Sequence, residues 1–120
     1  MFGRGKLDAA VRELAEADTL AFGGVGFAGT VLPVTEAYQE VERQLDAHPE
    51  RARRKVDWLL AHGSPAGRAY AATLLARVDP AAGRAAWESL RGERAELTAF
   101  GGCVMRPTTL GEYAAAQLAR

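Results

Sequence analysis

The sequence has little of the chemistry by which enzymes and metal proteins are usually recognised. It holds one cysteine, Cys103, so no disulfide can form within the chain and no cysteine-rich zinc site is supplied by it. Its only histidines are His48 and His62. With no close ligand spacing among these three residues, neither a metal nor a cofactor is expected. Lysine is scarce as well: only Lys6 and Lys55 occur, and every other basic residue is arginine. Neither sign of charge is in excess, because 15 basic residues face 15 acidic ones. A neutral chain lacks the electrostatic footprint of a general nucleic-acid or anionic-membrane binder, although a local patch is compatible with it. No apolar run approaches the roughly 20 residues of a spanning helix, and Met1 to Lys6 lacks the apolar stretch of a signal peptide. No membrane partner is therefore expected, and the implied compartment is the cytoplasm.

What is present is ordinary globular material. Apolar residues make up 48% and charged residues 25% of 120 residues, which is enough for one domain, residues 1–120, to bury a core without staples. Alanine and arginine dominate, a bacterial-like bias of the kind GC-rich coding supplies, and both residues favour helix.

Apolar spacing predicts a first helix over Leu7 to Ala17, with Leu7, Ala10, Val11 and Leu14 on one face. The stretch from Thr19 to Pro33 breaks that pattern with aromatic and β-branched residues around glycines, fitting either a short hairpin or an irregular apolar loop. A second helix is expected from Thr35, read as its N-cap with Val34 as a staple behind it, to Ala47, where His48-Pro49 ends it. A third spans Glu50 to Ala61, and Gly63 stops it. Ser64-Pro65 and Asp79-Pro80 are each an N-cap followed by proline at the first helical position. They open a fourth helix, with Tyr70, Leu74, Leu75 and Val78 inward, and a fifth, with Ala82, Ala86, Trp87 and Leu90 inward. Ala95 to Arg106 reads as strand or loop. The Thr109–Glu112 spacing is that of a capping box opening a last helix.

Two internal echoes stand out. Ser64-Pro65-Ala66-Gly67-Arg68 resembles Asp79-Pro80-Ala81-Ala82-Gly83-Arg84, which makes the middle of the chain a stack of abruptly joined helices. Ala21-Phe22-Gly23-Gly24-Val25 resembles Ala99-Phe100-Gly101-Gly102-Cys103. Since a lone short strand gains from a partner, the two Phe-Gly-Gly segments are expected to pair, in antiparallel fashion, and to tie the two ends of the chain together.

On its helix pairs, tight turns, prolines just inside new helices and small residues (Ala66, Gly67, Ala69, Ala72, Gly83), the stretch from Glu50 to Arg91 resembles an α-helical repeat of the HEAT type. It covers about a third of the chain and its helices are shorter than that family's. The resemblance implies a scaffold that binds other proteins, and it brings no catalytic residue.

Candidate chemistry is sparse. Cys103 as a nucleophile or redox sensor would need a depressed pKa. Arg106 is close by in sequence and no histidine is, so a buried, inert thiol is preferred. His48 and His62 fall at helix ends, where an imidazolium complements the dipole. Gly24 to Gly29 spells Gly-x-Gly-x-x-Gly, but Pro33 and a late helix follow it rather than a βαβ unit. The run Arg51, Arg53, Arg54 and Lys55 is the densest basic cluster. It reads as a solvated helix face in preference to a nucleic-acid patch. Trp58, Tyr70 and Trp87 are expected to share a core, and any one of them found exposed becomes a candidate interface anchor.

The reading is a mainly α domain, a compact bundle or short stack of about six short helices with a minor two-stranded β element. Its expected role is a small protein-interaction module (an adaptor, a regulator or an immunity-type binder) without catalytic activity, whose partner is another protein or a second copy. The candidate binding residues are Trp58, Tyr70, Trp87 and Cys103. The alternatives are an enzyme or redox-responsive protein built on Cys103 and a weak nucleic-acid binder acting through Arg51 to Lys55.

Overall fold

The computed structural model describes residues 2–23, 31–101 and 104–120. Among them are six helices, α1 (Phe2–Ala15), α2 (Pro33–Ala47), α3 (Pro49–His62), α4 (Pro65–Val78), α5 (Pro80–Leu90) and α6 (Leu110–Leu118), and three strands, β1 (Thr19–Leu20), β2 (Glu96–Gly101) and β3 (Val104–Thr109). The result is a compact, mainly helical bundle with a minor three-stranded sheet.

Proline sets the rhythm of the bundle. Pro33, Pro49, Pro65 and Pro80 each stand in the first turn of a helix, where a missing N–H costs nothing and the fixed φ already suits the helix. Single junction residues then serve two helices at once. His48 donates its N–H to the Gln44 carbonyl at the end of α2 and stands at the N-cap of α3. Asp79 closes α4 on the Leu75 carbonyl while its carboxylate accepts the Ala82 N–H of α5. Ser64 accepts the Gly67 N–H at the start of α4 and donates its hydroxyl to the Ala17 carbonyl at 2.5 Å, so one side chain caps a helix and ties it to the end of another. The fifth proline, Pro107, lies in β3 at the margin of the sheet, the place in a sheet where proline is tolerated.

Thr35 departs from its expected role. The helix begins two residues earlier at Pro33, and Leu32 at the N-cap makes no side-chain cap bond. Thr35 is instead buried in the first turn, its hydroxyl donating to the Ala21 carbonyl at 2.6 Å. That bond anchors residue 21 to α2, a tertiary demand that overrides the local capping preference. With the start moved, Val34 lies inside the helix and not behind a cap. Likewise α1 begins at Phe2, through Gly3 and Gly5, residues whose helix cost of roughly 1 kcal/mol each hides the extension from a reading of apolar spacing.

The core is centred on α4. Ala66, Ala69, Tyr70, Ala71, Ala72 and Leu74 are wholly buried, and the helix is enclosed by α1, α3, α5, α6 and the sheet. Such enclosure needs small residues at the crossings. A Cβ on Gly67 would collide with the Leu14 carbonyl of α1, and one on Gly83 of α5 would collide with the backbone of Ala76 on α4. Val78, expected inward, is exposed at the last turn of α4, because the chain turns away into α5 one residue later. Leu7, Val11 and Leu14 close the core from α1, and Leu110 and Ala114 close it from α6.

The expected pairing of the two Phe-Gly-Gly segments is displaced: Phe22 and Gly23 lie outside the sheet, and the residues just before them join it instead. β1 pairs with β2 in parallel, Thr19 opposite Thr98 and Leu20 opposite Ala99, and β2 pairs antiparallel with β3 from Glu96–Thr109 to Gly101–Val104. The sheet has three strands, not two. A hairpin partner a few residues away closes a far shorter loop than one nearly eighty residues distant, so β3 takes the antiparallel side of β2 and the short β1 joins the other edge. The tie between the two ends of the chain holds. Whether the segment after Phe22 forms its own hairpin, and the Gly-x-Gly-x-x-Gly of Gly24 to Gly29, lie outside the described residues. At the last helix, Thr109 and Glu112 form the expected capping box.

Candidate functional site

The two expected core aromatics Tyr70 and Trp87 are core. Tyr70 is completely buried; its hydroxyl accepts the Ala21 N–H at 2.8 Å and contacts the Ala21 carbonyl at 3.1 Å. Phe22 and Tyr38 pack against its ring with centroids 5.2 and 5.6 Å away. Trp87 packs on Tyr113 at 5.6 Å. Burial raises the pKa of all three tyrosines, to about 12 for Tyr38, with Glu42 as a lesser cause, and to about 12 for Tyr70. Tyr70 and Trp87 are thereby held inside the fold.

Trp58 is different, with 48% of its surface exposed. The reason is its phase on α3. Ala52, Val56 and Leu59 take the inward face, and at 3.6 residues per turn Trp58 lies about 200° around the helix from Val56. It rests against the ring of His62 at 5.3 Å, and both point away from the core.

Trp58 stands over a groove of about 660 Å³ between α1 and α3, floored on the α1 side by Val11 and Ala15. The helices run in the same direction there, since Lys55 meets Asp8 at 3.1 Å at the middle of both and the Ser64 N–H bonds the Ala15 carbonyl at 2.9 Å at their ends. Asp8, Arg12 and Glu16 recur at i, i+4 and i+8 along the α1 wall. Arg54 and Lys55 form the α3 wall, one turn before Trp58. At the beginning of the groove a smaller recess of about 330 Å³ opens between Asp8, Arg51, Arg54 and Lys55.

The basic run is thus split by the helix. Arg53 turns to the other side, towards Asp57 at 3.5 Å and Asp79 at 3.7 Å. Arg51, Arg54 and Lys55, at i, i+3 and i+4, face the recess. Lys55 pairs with Asp8, an exposed pair worth under about 1 kcal/mol. Arg12, Arg51 and Arg54 form no ion pair among the described residues, and the Nε of Arg51 is buried without a hydrogen-bond partner.

His48 and His62 are exposed at helix ends. Among the described residues no three of histidine, cysteine, aspartate and glutamate gather as a metal site, and no helix is long and apolar enough to cross a membrane. Cys103 lies outside the described residues. The contribution of α1 to the groove was missed in the sequence because nothing local says that α1 packs beside α3. The signal that did exist was Trp58 sitting four and seven residues after Arg54 and Arg51, outside the apolar stripe of its helix. No protein-family model, curated protein or solved structure matches the chain.

Proposed function

We propose that the chain is a protein-interaction module that engages its partner through the α1–α3 groove, with Trp58 as the anchor. The observation that carries this reading is the exposure of Trp58 over an apolar floor with arginine beside it. Tryptophan and arginine are the residue types that dominate binding energy at protein interfaces, and burying the exposed half of an indole is a gain that folding has left unclaimed. The HEAT-like resemblance of residues 50–91 supports the same role, as such stacks serve as binding scaffolds.

The experiment is a quantitative affinity capture with the tagged full chain and its W58A variant side by side. A protein retained near stoichiometry by the first and lost from the second supports the module. Identical retained sets, or none from either, count against it.

A further inference from the structure

The two ends of the groove differ in chemistry, and the difference describes the segment that fits. At its beginning, Arg51, Arg54 and Lys55 surround a recess in which Asp8 is the one acid. The Asp8 Oδ1 lies 3.1 Å from the Lys55 Nζ and has no hydrogen-bond partner of its own, while the Arg51 and Arg54 guanidinium groups form no ion pair among the described residues, so the recess sets three cations against one acid and favours an incoming anion. Towards the other end, the half-exposed Trp58 lines the groove together with Val11 and Ala15. A rise of 1.5 Å per residue places Trp58 about 6 Å beyond Arg54 and about 10 Å beyond Arg51 along the axis of α3.

We propose that this groove binds a short segment of another protein carrying an acidic side chain about 6–10 Å from an aliphatic or aromatic one, with the carboxylate seated at Arg51 and Arg54 and the apolar side chain on Trp58. The proposal rests on the interaction-module reading and adds the chemistry of the partner. Guanidinium groups receive a carboxylate through paired, charge-assisted hydrogen bonds. Residues at i and i+4 or i+7 of a helix, or at i and i+2 of an extended strand, span the required distance on one face. The same walls disfavour a nucleic acid. Glu16 on the α1 wall repels a strand charged at every phosphate, whereas a peptide places its single acid in the recess at Arg51 and Arg54. The balanced charge of the whole chain offers no wider field to offset that repulsion.

The test is selection of a displayed library of short random peptides on the full chain, followed by affinities of the enriched peptides for the wild type, W58A and R54E, each variant first shown by circular dichroism to keep its helices. The expected result is enrichment of an acidic residue at the stated spacing from an apolar one. W58A then weakens binding at least about thirtyfold and R54E about tenfold, and exchanging the peptide's glutamate for lysine restores affinity to R54E. Peptides that lose affinity for W58A but not for R54E overturn the acidic partner and leave the module standing. Peptides indifferent to Trp58, or no enrichment, overturn both. Oligothymidylate binding at low salt that R54E abolishes would give the groove to nucleic acid, and a dimer in sedimentation that R54E dissociates would give it to a second copy; either result overturns the proposal.

Discussion

Trp58 and Trp87 are chemically the same residue in opposite surroundings. Trp87 is 5% exposed and packed on Tyr113, so W87A leaves a large cavity and is expected to cost about 3–5 kcal/mol. W58A removes a side chain that is half in water and is expected to change stability by no more than about 1 kcal/mol. Urea unfolding of the two variants checks both. The tyrosines add a pH dependence. In the unfolded chain they ionise near 10.0, whereas burial holds the protons of Tyr38 and Tyr70 to about 12. Above the ordinary value the unfolded state has therefore given up protons that the native state still holds, and stability falls with rising pH. The contribution is complete below pH 10, declines between 10 and about 12, and should appear as a declining urea midpoint over that window. Replacing Tyr70 with phenylalanine flattens part of the decline and costs about 1–3 kcal/mol at neutral pH, since the buried Ala21 N–H loses its partner while the Ala21 carbonyl keeps Thr35.

At the scale of elements, the junctions carry the fold. Ser64 and Asp79 were legible as N-caps before proline because the signal is local and chemical: an oxygen acceptor, then a residue that needs no N–H. The Thr109–Glu112 capping box was legible on the same grounds. Thr35 was misassigned because its hydroxyl answers to Ala21, fourteen residues away in sequence, and no local pattern encodes that. The strand pairing shows the same boundary. The glycine-rich echoes pointed to the right neighbourhood, but the strand that pairs is Thr19–Leu20, just before Phe22-Gly23, and it pairs in parallel because the nearer β3 takes the antiparallel side of β2. Close approach of helices is where glycine matters. The α4–α5 crossing leaves no room for a methyl group between Gly83 and Ala76, so G83A is expected to destabilise by about 1–3 kcal/mol despite its better helix propensity. A lowered thermal midpoint checks this, and a raised one would mean that the helices separate without cost.

At the scale of the whole molecule, the groove exists because α1 is laid beside α3, two elements separated by α2 in the chain. The sequence named one wall, the basic run and Trp58, without its opposite wall, and it placed Trp58 in the core by analogy with Tyr70 and Trp87. Helical phase alone would have set it outside, since Ala52, Val56 and Leu59 already fill the inward face of α3. The bundle, with α4 at its centre and the sheet joining residues 19–20 to 98–99, presents that tryptophan on a rigid helix, where anchoring loses little conformational entropy. The groove acts as proposed only if Trp58 is open to solvent in the free chain and covered when a partner segment binds. The most direct test is acrylamide quenching of the W87F variant, in which Trp58 is the only tryptophan, alone and saturated with a groove-selected peptide. Efficient quenching of the free chain and marked protection in the complex are expected if Trp58 is the anchor. Quenching that is weak from the start, or unchanged on binding, would contradict it.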